Sequence, residues 1–233
     1  MNLSSKSELT LRFGSYNIQH GGLAELSKLA SDITDAELDI VGLQEIDQNT
    51  SRNGFKNTMK LLSEYTGYKY YVFFKAISVF DGEYGIGVLS KYPLTQTHLI
   101  PLESGKAEQR ILGRTEIDVN GTKINFFVTH LSFESKELRA KQFAQVAFEL
   151  KNFDNFILTG DFNTSDFSEY TAITDAEYVN NKSYSLITFP QNSSSIDNIV
   201  YSKSVWKFTH PQTQKNNNSD HYMLYADGTY IGK

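Results

Sequence analysis

Six segments of the chain place acids, amides and imidazoles at the ends of apolar, β-branched runs. Asn17 closes one such run, and Gln44-Glu45 follows Ile40-Val41-Gly42-Leu43. His130 ends Phe126-Phe127-Val128-Thr129, while Asp161 and Asn163 come just after Phe156-Ile157-Leu158-Thr159. Asp197-Asn198 opens the run to Tyr201, and Asp220-His221 precedes Tyr222-Met223-Leu224. Carboxylates and imidazoles move protons near neutrality, and carboxylate and amide oxygens are hard ligands for divalent cations. At a strand end such side chains can face a crevice at the sheet edge, where α/β folds bind ligands. Each group alone has a structural explanation. An Asp or Asn after a strand is usually a turn former or a cap, a lone His a core or surface residue, and Glu45 half of an ion pair. The argument for chemistry rests on so many occurring together.

Other chemistries are excluded or fail on spacing. The chain has no cysteine, which removes disulfides, thiol nucleophiles and thiolate metal sites. Ser219-Asp220-His221 is not a serine triad, since neighbours in sequence do not thereby reach one another and no G-x-S-x-G turn exists. No H-E-x-x-H helix and no P-loop occur. Lys and Arg number 22 against 27 Asp and Glu, a net charge of −5, so the basic excess of a protein that lives on nucleic acid is absent.

The elements that must position these residues are legible as patterns. Residues 11–18, 39–43, 69–74, 86–90, 111–119, 123–131, 155–159, 196–201 and 222–225 read as strands. Asn120-Gly121 predicts a tight hairpin, because both turn positions need positive φ. Helical spacing links Leu23, Leu26, Leu29 and Ile33, then Phe55, Met59 and Leu62, then Leu138, Phe143, Val146 and Leu150. The first helix joins two strands that can be parallel, and the hairpins imply antiparallel pairing elsewhere, so a mixed α/β architecture follows. Residues 191–195 and 212–218 read as exposed loops. No linker divides the chain, and one domain over residues 9–231 with a flexible stretch at 1–8 is expected. No run approaches the ~20 apolar residues of a membrane span, and the first ten residues hold no apolar signal core, so a cytoplasmic protein is expected.

Six segments, in this order, resemble the endonuclease/exonuclease/phosphatase superfamily. They are Ser15-Tyr16-Asn17-Ile18, Leu43-Gln44-Glu45-Ile46, Thr129-His130-Leu131, Gly160-Asp161-Phe162-Asn163-Thr164, Ile196-Asp197-Asn198-Ile199 and Ser219-Asp220-His221. Asp47 to Arg52, the glycine run Gly82 to Gly87 and Glu108-Gln109-Arg110 resemble the bacterial members. The glycine run is reversed relative to G-x-G-x-x-G and reads as a tight approach beside the site, not as a nucleotide cradle.

The resemblance implies a four-layer α-β-β-α sandwich of two mixed sheets with the site at one end. It also implies hydrolysis of phosphate esters, in which charge on the phosphoryl oxygens is offset and a water is aimed at phosphorus. Hard oxygen ligands favour Mg²⁺ or Mn²⁺. Carried over residue by residue, Glu45 is a metal ligand, Asn17 positions the ion or phosphate, and Asp197 orients His130 or joins the metal shell. Asp161 activates the water. Asn163 and His130 donate to phosphoryl oxygens, and His221 contacts phosphate with its tautomer set by Asp220. Arg52 and Arg110 are candidate phosphate clamps, each weighed against a structural ion pair, and Tyr84 a candidate pocket wall. Fold does not fix substrate. The acidic charge and compact length favour a small phosphodiester or phosphomonoester. A nuclease is the alternative, and a non-catalytic phospholigand- or protein-binding module stands behind it.

Overall fold

The computed structural model describes residues 9–232; the expected flexible stretch 1–8 lies outside them. The first sheet contains β1 (Thr10–Asn17), β2 (Ile40–Gln48), β3 (Tyr70–Val79), β4 (Gly82–Ser90), β11 (Trp206–Gln214) and β12 (Met223–Tyr230), in the order β11-β12-β1-β2-β4-β3. The second holds β5 (Leu94–Pro101), β6 (Ile111–Val119), β7 (Thr122–His130), β8 (Phe156–Asp161), β9 (Ala176–Tyr178) and β10 (Asp197–Ser202), in the order β5-β6-β7-β8-β10-β9. Each sheet has one parallel pair at its centre, β1–β2 and β7–β8, and antiparallel pairs around it. Helix α1 (Leu26–Asp35) crosses between the first parallel pair and α3 (Lys136–Leu150) between the second, while α2 (Thr58–Thr66) follows β2. A parallel pair delivers both strand C-termini to one end. That is why Asn17, Glu45, His130 and Asp161 can meet.

Three apolar layers hold the sandwich. Between the sheets, Phe13, Ile40, Phe126, Ile157, Ile199 and Trp206 are buried together, with Phe13 stacked on Phe126 at 6.3 Å. Outside the first sheet, Leu29 and Ile33 of α1 and Met59 and Leu62 of α2 cover Val41 and Leu43. Outside the second, Phe143, Val146 and Leu150 of α3 cover Phe127 and Leu158. Adjacent residues such as Phe126 and Phe127 thus enter different layers. A strand buried on both faces therefore reads as a continuous apolar run. Each such large side chain contributes about 1.5–3 kcal/mol on burial. Gly42 of β2 packs tightly on the other sheet: a Cβ there would lie 2.0 Å from Thr159 Oγ1.

The Asn120-Gly121 turn forms as expected, with φ of 53° and 91°. Two helices are properly capped. Asn57 accepts from the Lys60 N–H and Ser135 from the Leu138 N–H. Several expectations need correction. Strands β5, β9 and β11 were not read from the sequence. Leu23 and Phe55 are exposed and lie outside the helices assigned to them. The stretch 212–218 is not simply an exposed loop. It begins inside β11, and its Asn216 and Asn218 amides both donate to the buried Asp32 of α1, which also accepts from the Tyr16 hydroxyl. Among the described residues no helix is long and apolar enough to cross a membrane.

Candidate active site

A bulge in β2 aims the first acid. The β2–β4 register shifts between Leu43 and Ile46, and Glu45 there has φ 57°. Left-handed backbone costs a non-glycine residue about 1–2 kcal/mol, and bulges beside active sites re-aim side chains. The Glu45 carboxylate consequently faces a cleft of about 640 Å³. Asn17, fully buried, ends β1 beside it. Its amide nitrogen donates to Glu45 Oε1 at 3.0 Å and to Asp161 Oδ2 at 3.1 Å, and its oxygen accepts from the Gln19 N–H. Asn17 thus turns nitrogen, not oxygen, towards the acids. It ties together two carboxylates from opposite sheets.

The second sheet supplies the rest of the floor. Asp161 ends β8 and lies opposite Asp197 of β10 in the antiparallel register. Its Oδ1 accepts from the Asn163 N–H at 2.9 Å. His130, ending β7, places Nε2 3.4 Å from Asp161 Oδ2. The Asn163 amide already donates to the Leu131 carbonyl, which leaves one of its protons for an anion. His221 comes from the segment before β12 and points Nε2 at Asp161 Oδ2, 3.6 Å away.

Asp197 Oδ2 holds His221 Nδ1 at 2.8 Å. The expectation gave that task to Asp220 and placed Asp197 beside His130 or in the metal shell. The structure instead engages Asp220 with the Gln19 amide and Ser219 hydroxyl. Asp220 still borders the cleft.

The electrostatics divide the groups by role. Burial first, and then the neighbouring Asp197, push the Asp161 carboxyl up to about 7, against the pull of His221 and two N–H donors. A carboxylate so raised is a competent base near neutrality. Burial works against charge on His221, but Asp197 and Asp161 outweigh it and raise the imidazole to about 10. His130 is held well below its ordinary value by burial, then by Arg110 and His221. One imidazole is therefore a cation at pH 7 and the other is neutral.

Arg52 and Arg110 are both already paired. Arg52 forks onto the buried Asp47 at 2.6 and 2.7 Å and lines a different depression from the catalytic groups. Arg110 is 5% exposed and pairs with Glu108 at 2.8 Å. The clamp expectation is corrected for Arg52. Arg52→Ala is expected to lower stability by about 2 kcal/mol, below the usual cost of breaking a buried pair because Thr50 still donates to Asp47. Denaturant melts beside steady-state assays check this; a kcat loss without destabilisation would return Arg52 to the site. Tyr84 does wall the cleft, kept as neutral phenol by burial and by Glu45. Several other wall residues were not nominated, Glu108, Phe133 and Phe189 among them. Glu108 lay inside a quoted segment. Phe133, 67% exposed, and Phe189, whose ring centre lies 4.9 Å from that of His221, gave no signal in the sequence.

Ligand atoms of Asp161, Asp197 and His221 lie within 4.8 Å of one another, but a protonated His221 is no ligand, so a divalent ion here would rest on the carboxylates. The donors also suit a hard cation. Asp197 Oδ1 is buried with no hydrogen-bond partner, and only one Glu45 oxygen is engaged.

The sequence matches the profile of the Endonuclease/Exonuclease/phosphatase family over residues 14–221. The fold is similar to that of an endonuclease/exonuclease/phosphatase from Beutenbergia cavernae (TM-score 0.78, 18% identity, 95% of this chain and 72% of that one). It is also similar to the mannosyl-6-phosphatase of Bacteroides thetaiotaomicron (0.72, 18%, 94% and 99%). The human Nocturnin catalytic domain with bound sulfate is comparable (0.75, 19%, 97% and 97%). At these identities the likeness to solved structures is one of fold. No curated protein sequence gives a significant match. The chain belongs to the endonuclease/exonuclease/phosphatase family. It is accordingly a phosphoester hydrolase.

Proposed function

We propose that the chain is a Mg²⁺- or Mn²⁺-dependent hydrolase of small phosphodiesters or phosphomonoesters. The observation that carries this is the Asn17 amide joining Glu45 to Asp161 on the floor of a cleft that His130 and His221 also face. In this reading Asp161, raised towards neutrality, accepts a proton from the attacking water. The His221 imidazolium, oriented by Asp197, and the His130 N–H donate to phosphoryl oxygens as charge grows on them. Glu45, joined to Asp161 through Asn17, would hold the ion. Bound there, the ion would polarise a phosphoryl oxygen and offset charge on the leaving oxygen. Because both sheets supply these groups, we infer that residues 9–231 work as one catalytic domain.

The charge of the lining supports a small substrate over a polynucleotide. Glu45, Glu108, Asp161 and Asp220 border the cleft; among the described residues lining it there is no lysine, and its one arginine is paired. A nucleic acid backbone demands several free cations in register. The test runs a chromogenic diester, a chromogenic monoester and plasmid DNA in parallel, with and without chelator. Turnover of a small ester that stops in chelator, with plasmid intact, is expected. Glu45→Ala is expected to lower kcat about 10²–10³-fold. Turnover that survives chelation, or full activity in Glu45→Ala, would end the metal reading; nicked plasmid would replace the small substrate with a nucleic acid.

A further inference from the structure

We propose that Arg110 is a positioning residue that fixes His130 as its Nε2–H tautomer, so that a neutral N–H donor faces the phosphate cleft. Arg110 Nη1 lies 3.1 Å from His130 Nδ1, in the interior. A guanidinium carries only donors and stays protonated in proteins. Nδ1 must therefore be the accepting lone pair, and the ring's single proton sits on Nε2. That nitrogen lies 3.4 Å from Asp161 Oδ2 and makes no hydrogen bond within the described residues, so its proton remains available to a ligand.

The geometry of Arg110 fits this task better than a phosphate clamp. Its Nη1 also meets Glu108 Oε1 at 2.8 Å, which compensates the charge. Its Nε is buried with no partner, so the fork is not closed on a pair of oxygens. Compare Arg52, whose Nε and Nη2 both engage Asp47. The two imidazoles of the cleft are thereby set in opposite states by opposite neighbours. An acceptor, Asp197, holds His221 with Nδ1 protonated, and a donor, Arg110, holds His130 with Nδ1 bare.

Only the expected rate effect rests on the proposed hydrolase function; the tautomer does not. The test is long-range ¹⁵N correlation spectroscopy of the histidine rings with Mg²⁺ present, the His130 signals being identified by their loss in His130→Gln. In the wild-type protein Nε2 of His130 should give a protonated-type shift and Nδ1 an unprotonated one. Arg110→Met should bring in the Nδ1–H form and lower kcat on bis(p-nitrophenyl) phosphate about 10²-fold, the scale of one misplaced donor. Arg110→Lys, which keeps a donor, should restore the tautomer and most of kcat. A wild-type His130 protonated at Nδ1 overturns the proposal. So does a Met variant that keeps the pure Nε2–H form, whatever its rate, or a Lys variant that fails to restore it. Should the Met variant not fold, the wild-type and Lys spectra still decide. A wild-type protein that hydrolyses no ester would sink the hydrolase reading alone.

Discussion

Asp161→Asn is expected to lower kcat by about 10³-fold while leaving the metal-free protein more stable at pH 8. The first effect follows from the loss of the one carboxylate among the described residues that receives N–H donors from Asn17 and Asn163 and faces both imidazoles. A positioned base contributes about 10²–10⁴-fold. The second follows from linkage. The Asp161 carboxyl is raised from 3.8 to about 7 on folding. A raised carboxyl favours the folded state fully below its ordinary value, and this contribution is lost as pH climbs through about 7. Above that, the buried charge is a cost that Asn lacks. At 1.36 kcal/mol per pH unit the ceiling is about 4 kcal/mol. Part returns because His221 loses one of the three carboxylates that raise it. A net gain of about 1–2 kcal/mol corresponds to a Tm rise of roughly 3–6 °C for a chain this long. Melts in chelator at pH 8 and pH 4 are the measurement. Near-native turnover, or a Tm below wild type at pH 8, would remove Asp161 from the role of base.

Asp197→Asn and Asp220→Asn are expected to separate sharply. Asp197 holds the His221 ring at 2.8 Å and is the leading charge that raises it to about 10 against burial, while Asp220 is the last of the contributors. Without the Asp197 charge the imidazolium fails nearer neutrality. The rate should fall about 10²–10³-fold, with the alkaline limb of the pH profile moved to lower pH. Asp220→Asn should lose less than about tenfold, because an amide can still pair with Gln19 and the ring partner is untouched. The sign of the stability effect is that of a raised histidine. Its contribution is complete below 6.5 and lost as pH rises through about 10, so the wild-type stability should decline across that window and Asp197→Asn should flatten the decline. Equal losses in the two variants would show that adjacency in sequence, and not the contact across the cleft, governs His221.

That pair of aspartates shows where the sequence is readable and where it is not. Asp220 and His221 are neighbours in the chain, but they lie in a bend before β12, where adjacency does not make two side chains meet. The true partner is set by two facts no local pattern contains: β10 lies antiparallel to β8, and the two sheets face one another. Within strands, by contrast, β1, β6 and β7 were marked nearly to the residue, since apolar residues recur along them at strand spacing and, late in β7, run without a break. Strand β5 went unread because most of its residues face solvent, and β11 because Pro211 and a register shift at Thr209/Gln212 break an already polar edge. The site residues were legible by type and order; their partners were not. Asn17 and Arg110 were both nominated as ligand contacts, and in the structure each hydrogen-bonds a neighbouring site side chain, a distinction that lives in donor and acceptor geometry.

The Asn17 amide donates to Glu45 from its own sheet and to Asp161 from the other, so a single nitrogen records the alignment of the two sheets. Hydrogen bonds weaken steeply within a few tenths of an ångström and a few tens of degrees. Apolar packing between the same sheets is far more forgiving of a small slide. Chemical competence therefore has a narrower mechanical tolerance than the fold that carries it. Catalysis acts as a gauge of sheet registry, one that would fall silent while helices and strands persisted.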